Sequence, residues 1–317
     1  MHAGTATVPA GLLPATIQAA IDERMQTCVA LLGDDVVAQL DVLTAPALAA
    51  LAESTALFAP VDAVAPTLAR LAAARPHPHP NALAIALVCL RLRALPANET
   101  VQALPPGVRA LYPAAVERVL RQLAASGLPD AEPYGPGTDA FLKDLRLAAG
   151  LSVPCGTHDV DLVATLNRRS GLKALLREGD LRGGLRVLRD GGPVWLRIHT
   201  DTRNLDDFDA DGRVRCLLRI ADLLRQRPHV KGMVGMSWYY DPVVARISPR
   251  LAYLQALPLA NGAYLMRNGE APEHTAWALA SSPTRRALHA RGAYRPAAYS
   301  LVWTRRHLLA WAATQAR

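Results

Sequence analysis

The chain has 317 residues, 51% of them hydrophobic and 20% charged, which supplies apolar material for about two packed cores and argues against extended disorder. No apolar run approaches the roughly 20 residues that span a bilayer, and no basic stretch precedes an apolar one at the N-terminus, so neither a membrane partner nor a secretory signal is expected. The net charge of +8 is split unevenly: residues 1–150 hold ten basic and thirteen acidic side chains, and the remainder holds twenty-five and fourteen.

Residues 11–125 read as Ala/Leu/Val-rich helices. The pattern runs from Leu13 to Leu40, from Thr44 (a predicted cap) to Phe58, then over Val61 to Ala74, Asn81 to Leu95 and Tyr112 to Ala125. Prolines at Pro60, Pro76–Pro80 and Pro105–Pro106 break it. His77 and His79 sit between prolines without a third ligand and read as an exposed loop. The Gly/Pro-rich stretch 127–137 is the predicted linker, dividing a helical region over 1–126 from an α/β domain over 138–317. All five tryptophans and six of eight tyrosines follow it, so recognition is expected in the second part.

Beyond the linker the pattern alternates. Leu185–Arg189 and Val194–His199 flank Asp190-Gly191-Gly192 as a predicted hairpin. A helix over Asp211–Gln226, a strand over Val230–Tyr239 and a short helix over Pro249–Leu257 follow. A strand over Ala263–Met266, a helix over Pro272–Ala290, a strand over Ala298–Trp303 and a helix from Arg305 complete the chain. The expected fold class is therefore an α/β (α+β, mixed-sheet) C-terminal domain preceded by an all-α region.

The strongest candidate site is Trp238-Tyr239-Tyr240-Asp241-Pro242, at the end of the Val230 strand. Ligands of open α/β sheets bind outside the carboxyl ends of the strands, and tyrosine and tryptophan present a flat apolar body with one hydrogen-bonding end. Alternation would set Trp238 and Tyr240 on one face and Tyr239 and Asp241 on the other. Ser248-Pro249-Arg250 begins a helix nearby and is the preferred anion anchor, with Arg285 and the Tyr294 turn as further ligand-binding candidates. His199, Tyr240 and Asp241 are the candidates for proton transfer.

A second cluster joins His199 and Asp201 to His158-Asp159-Val160-Asp161. His158, His199 and Asp201 would make an N/O site for zinc, iron or manganese. Asp207, Asp209 and Asp211 open like a calcium loop, but the twelfth position is Leu218, so they read as an acidic lead-in to a helix. The four cysteines lack metal-ribbon spacing and read as reduced, buried thiols of a cytoplasmic protein. Cys155 has His158 close behind it as a weak nucleophile candidate. No P-loop, nucleophile elbow or dinucleotide fingerprint is present. Without a basic run or recognisable module, nucleic acid is not an expected partner.

The order strand, short helix, strand, long helix, strand from Val230 to Trp303, with the Gly292-Ala293-Tyr294 turn into the last strand, resembles the C-terminal half of GNAT-type acyltransferases. The resemblance covers about a quarter of the chain. It implies an acyl-CoA donor, although the family's Arg/Gln-x-x-Gly-x-Gly/Ala pyrophosphate loop is missing. Three readings stand: an enzyme acting on an anionic small molecule, of acyltransferase type; a metal-dependent enzyme built on His158, His199 and Asp201; or a non-enzymatic module whose N-terminal helices dock a protein partner.

Overall fold

The computed structural model describes residues 11–51, 54–74, 79–128 and 130–315. The chain forms two compact units, Met1–Pro154 and Cys155–Arg317. Residues 75–78, and with them His77, fall outside the described residues, as does Pro129.

The first unit is helical. Its central helix, Ala82–Ala94, buries Ala82, Ile85, Leu87, Val88, Cys89 and Leu92 against Ala15–Leu32, Asp34–Ala49 and Asp139–Ala148. Its apolar residues lie all round rather than along a stripe, as in a helix enclosed by others. The long helical pattern from Leu13 is two helices, because Gly33 (φ 89°) ends the first. Thr44 begins no helix: it is buried inside Asp34–Ala49, where its hydroxyl donates to the Leu40 carbonyl at 2.6 Å. Segment 127–137 joins two helices of this unit, and the Asn81 side chain fixes it by donating to the Ser126 and Glu132 carbonyls and accepting from the Tyr134 amide. A short strand, β1 (Ser152–Pro154), closes the unit.

The second unit has strands β2 (Asp159–Leu166), β3 (Gly192–His199), β4 (Gly232–Ser237), β5 (Tyr264–Gly269) and β6 (Ala298–Thr304). They run in the order β2-β3-β4-β6-β5. β3 and β4 are parallel and the other three pairings antiparallel, which makes the sheet mixed. The fold class read from the sequence is thus the one observed: an all-helical region followed by a mixed sheet with helices.

Several elements differ from expectation. Leu185–Arg189 is the end of a helix, Leu181–Asp190, so there is no hairpin at Asp190-Gly191-Gly192. Asp180 caps that helix by accepting from the Gly183 amide, and Val187 faces the core, a local signal stronger than the Gly-Gly turn. Strand β2 and helix Arg168–Arg177 are additional to the expected elements. Asp209 accepts from the Gly212 amide and starts helix Ala210–Gln226, as the acidic lead-in suggested. The long Pro272–Ala290 helix is broken in two at Pro283, with Ser282 capping the second piece.

Directly paired residues share a face of a sheet. One face carries Trp195, Val234, Val302, Tyr264 and Met266, and the helices Arg168–Arg177 and Leu181–Asp190 add Ala174 and Val187 to that cluster. On the other face Trp303 meets Trp311 of helix Arg305–Gln315, ring centroids 5.3 Å apart. The first face is not covered along its whole length. Met236 follows Val234 on it, in a central strand, and is 55% exposed.

Candidate functional site

The uncovered end of the first face is where β3 and β4 stop running together. Their last register pair is Ile198–Gly235, and one step further lie His199 and Met236. In β2, Asp159 pairs with His199 and Asp161 with Arg197, so these four charged or titratable side chains share the face. His199 Nε2 stands 2.7 Å from Asp161 Oδ2, and Arg197 approaches the same oxygen at 3.8 Å. Asp161 is fully buried, whereas the His199 and Arg197 side chains reach solvent. A carboxylate oxygen accepts, so Nε2 of His199 is the donor of this bond. A histidine held by a buried aspartate, with its other nitrogen available, is the arrangement of a positioned general base.

Behind this pair, on the other face, lies a buried polar cluster. His158 is enclosed, with Nδ1 2.7 Å from Thr157 Oγ1 and a guanidinium nitrogen of Arg213 at 3.3 Å. Burial first, then the Arg213 charge, hold the His158 imidazole well below its usual range, so it is neutral. Arg213 also donates to Tyr240 Oη at 3.2 Å, and its buried Nε has no hydrogen-bond partner. Burial raises the Tyr240 phenol. Tyr239 Oη and Thr200 Oγ1, 2.6 Å apart, tie together the segments that leave β4 and β3.

His158 has a measurable consequence. A neutral buried histidine binds a proton only on unfolding, so its contribution is present above pH 6.5, the ordinary histidine value, and is lost as pH falls below it. Acidification then costs stability at about 1.4 kcal/mol per pH unit from this group. Urea midpoints from pH 7 to pH 5 should fall more steeply in the native protein than in His158→Gln; equal slopes would remove His158 as the cause.

Trp238–Tyr240 form a 3-10 turn rather than the end of a strand, so the expected alternation of faces fails. The rings instead contact edge to face, Trp238–Tyr239 at 5.6 Å and Tyr239–Tyr240 at 4.7 Å between centroids. Asp241 is buried and caps helix Pro242–Ile247 by accepting from the Val243 amide; burial raises its carboxyl against the pull of the Val243 and Ala297 amides. Arg285 is enclosed over the Trp238 ring at 4.5 Å, donating to Ser248 Oγ and the Ala278 carbonyl. Trp238, Ser248 and Arg285 therefore meet, but in a contact made with one another. Tyr294 is buried, its hydroxyl without a partner, and Arg250 is exposed.

The proposed metal ligands do not converge. His158 is held by Thr157 and Arg213, His199 by Asp161, and Asp201 by Arg203 in a bidentate pair. No group of three His, Cys, Asp or Glu side chains among the described residues is placed to hold a metal ion. Cys155 is buried and its thiol pushed well up by that burial, which keeps it protonated. The residues missed from sequence are Asp161 as the partner of His199, Arg197, Met236 and Arg213. Asp161 had a signal: Asp159 and Asp161 alternate with Val160 and Leu162, so two carboxylates share one face of an apolar strand.

Comparison with protein-family models, with curated proteins and with solved structures finds no match for this chain. No helix among the described residues is long and apolar enough to cross a membrane.

Proposed function

We propose that the second unit is an enzyme acting on an anionic small molecule, with His199 as general base and Asp161 as its positioning residue. The observation that carries this reading is the 2.7 Å His199–Asp161 pair at the open carboxyl end of the parallel strands. Arg197 and the positive balance of the second half of the chain favour a negatively charged substrate.

The reaction class we favour is acyl transfer. A single parallel pair, β3–β4, lies among antiparallel pairings, and it ends at Ile198–Gly235, beside His199 and the exposed Met236. The resemblance in element order implies that a thioester of coenzyme A would be the donor. His199 Nδ1 would take the proton of the acceptor amine or hydroxyl as that atom attacks the thioester carbonyl, and the thiolate would leave. Tyr240 supplies no proton here, since it is enclosed behind the sheet. Asp241, Ser248 and Arg285 support the turn after β4.

Thermal unfolding with and without acetyl-CoA tests the reading. At one hundred times its dissociation constant a ligand adds about 2.7 kcal/mol. The shift should persist in His199→Ala, which leaves Met236 in place, and disappear in Met236→Arg, which adds bulk on the uncovered face beside His199. A shift that ignores Met236→Arg would place the ligand elsewhere. Stabilisation by other phosphorylated metabolites, and not by the thioester, would keep the anionic substrate and reject acyl transfer.

A further inference from the structure

We propose that the outer face of the helix pair Arg168–Arg177 and Leu181–Asp190 docks on an anionic lipid surface. This goes beyond the enzymatic reading and does not depend on it.

The inner side of the pair is committed to the sheet through Ala174 and Val187. The seam between the helices is closed backbone to backbone: a Cβ on Gly171 would stand 2.9 Å from the Gly184 carbonyl oxygen, and one on Gly184 2.7 Å from that of Gly171. Outside this seam are four exposed leucines, Leu172 (48%), Leu176 (76%), Leu181 (64%) and Leu185 (60%). Leu172 and Leu176 lie one turn apart on the first helix, as do Leu181 and Leu185 on the second, so each helix carries a short apolar row. Side chains so exposed do not line a groove. They stand out from a closed seam and fit a flat apolar layer better than a helix laid into a cleft.

Cations flank both rows. Arg169, Lys173 and Arg177 follow one another at four-residue spacing on the first helix, and Arg182 and Arg186 on the second. The acids of the same stretch are turned to the protein. Glu178 pairs with Arg267, Asp180 accepts from the Gly183 and Arg267 amides, and Asp190 meets Arg189 and the Tyr264 hydroxyl. Arg169, Arg177 and Arg182 are exposed and make no ion pair among the described residues. A second copy of the chain fits poorly, because leucines set on leucines would bring basic rows against basic rows. Leucines between two basic rows suit the boundary of acyl chains and anionic headgroups. The missing bilayer-spanning run bears on crossing a membrane, whereas this face concerns lying on one.

The test is co-flotation of the full chain with vesicles of phosphatidylcholine alone and of phosphatidylcholine with about a third phosphatidylserine. Binding to the anionic vesicles should exceed binding to the neutral ones at least about tenfold and fall as salt is raised. Arg177→Glu with Arg182→Glu should weaken it about tenfold or more. Leu176→Glu with Leu181→Glu should abolish it. Leu176→Ser with Leu181→Ser should lower it, and this milder pair decides if the first perturbs folding. Equal binding to both vesicle types, no binding by the native chain, or leucine variants that bind like it would overturn the proposal. So would a leucine-dependent dimer in sedimentation, which would assign the face to a second copy.

Discussion

Replacing Gly232 with alanine lowers the stability of the second unit by about 3–5 kcal/mol, the combined scale of a left-handed backbone conformation forced on a side chain and of overpacking. Gly232 opens β4 with φ 151°, and a Cβ there would stand 2.2 Å from the Trp303 carbonyl oxygen and 2.8 Å from a ring carbon of Trp195. The obstructing atoms belong to the sheet backbone and to a core indole, so neither can swing aside. Gly292 separates the two contributions: its φ is 71°, but nothing lies within 4 Å of the added carbon. Gly292→Ala should cost about 1 kcal/mol. Urea midpoints of the two variants give the comparison. A Gly232→Ala protein as stable as Gly292→Ala would mean that β4 moves away from Trp303 at no cost and would overturn the overpacking argument.

What the sequence disclosed follows the strength of local signals. The helices of the first unit were legible because their apolar residues recur over many turns, although Pro46 and Pro66 lie inside helices rather than ending them. Strands β4, β5 and β6 were legible as short apolar runs bounded by Gly and Pro. Strand β2 was hidden by Asp159 and Asp161, two carboxylates that count against a buried strand until His199 and Arg197 are seen opposite them. The Leu181–Asp190 helix was hidden by its glycines, which serve close packing against Gly171 and β5 rather than a turn. The turn at Trp238–Asp241 was located correctly at the end of β4. Its contacts with Arg285 and Gln255 were not legible, since these come from elements remote in sequence. His199 is legible from its own strand, and the sequence sets it beside both Asp201 and the His158–Asp161 cluster without choosing between them. Pairing across a ladder, which local spacing cannot report, selects Asp161.

Loss of the His199 side chain should reduce turnover by about 10²–10⁴, the range for removing a positioned general base. His199→Ala also leaves the fully buried Asp161 carboxylate without its 2.7 Å hydrogen bond, so a loss of stability should accompany the fall in turnover. Asp161→Asn tests the second half of the pair. The amide can donate as well as accept, so the ring is no longer fixed with Nε2 protonated and Nδ1 free. The expected outcome is a large fall in kcat with a modest change in KM. Asp161→Ala should in addition lose about 3–5 kcal/mol of stability, since a buried charged partner is removed and Arg197 loses its neighbour. Full turnover in His199→Ala would reject the assignment of the base.

Strand β6 lies between β4 and β5 in the sheet although it follows both in the chain. The sheet therefore cannot be completed strand by strand as the polypeptide is made. Until Ala298–Thr304 has emerged, β4 has an open edge, and β5, whose strand partner is β6, has nowhere to add. Met233, Val234, Leu265 and Met266 wait on those edges during synthesis, when unpaired strands recruit other chains. A chain cut short anywhere before Ala298 loses an interior strand rather than an outer one, and damage of that kind cannot be trimmed to a smaller working sheet.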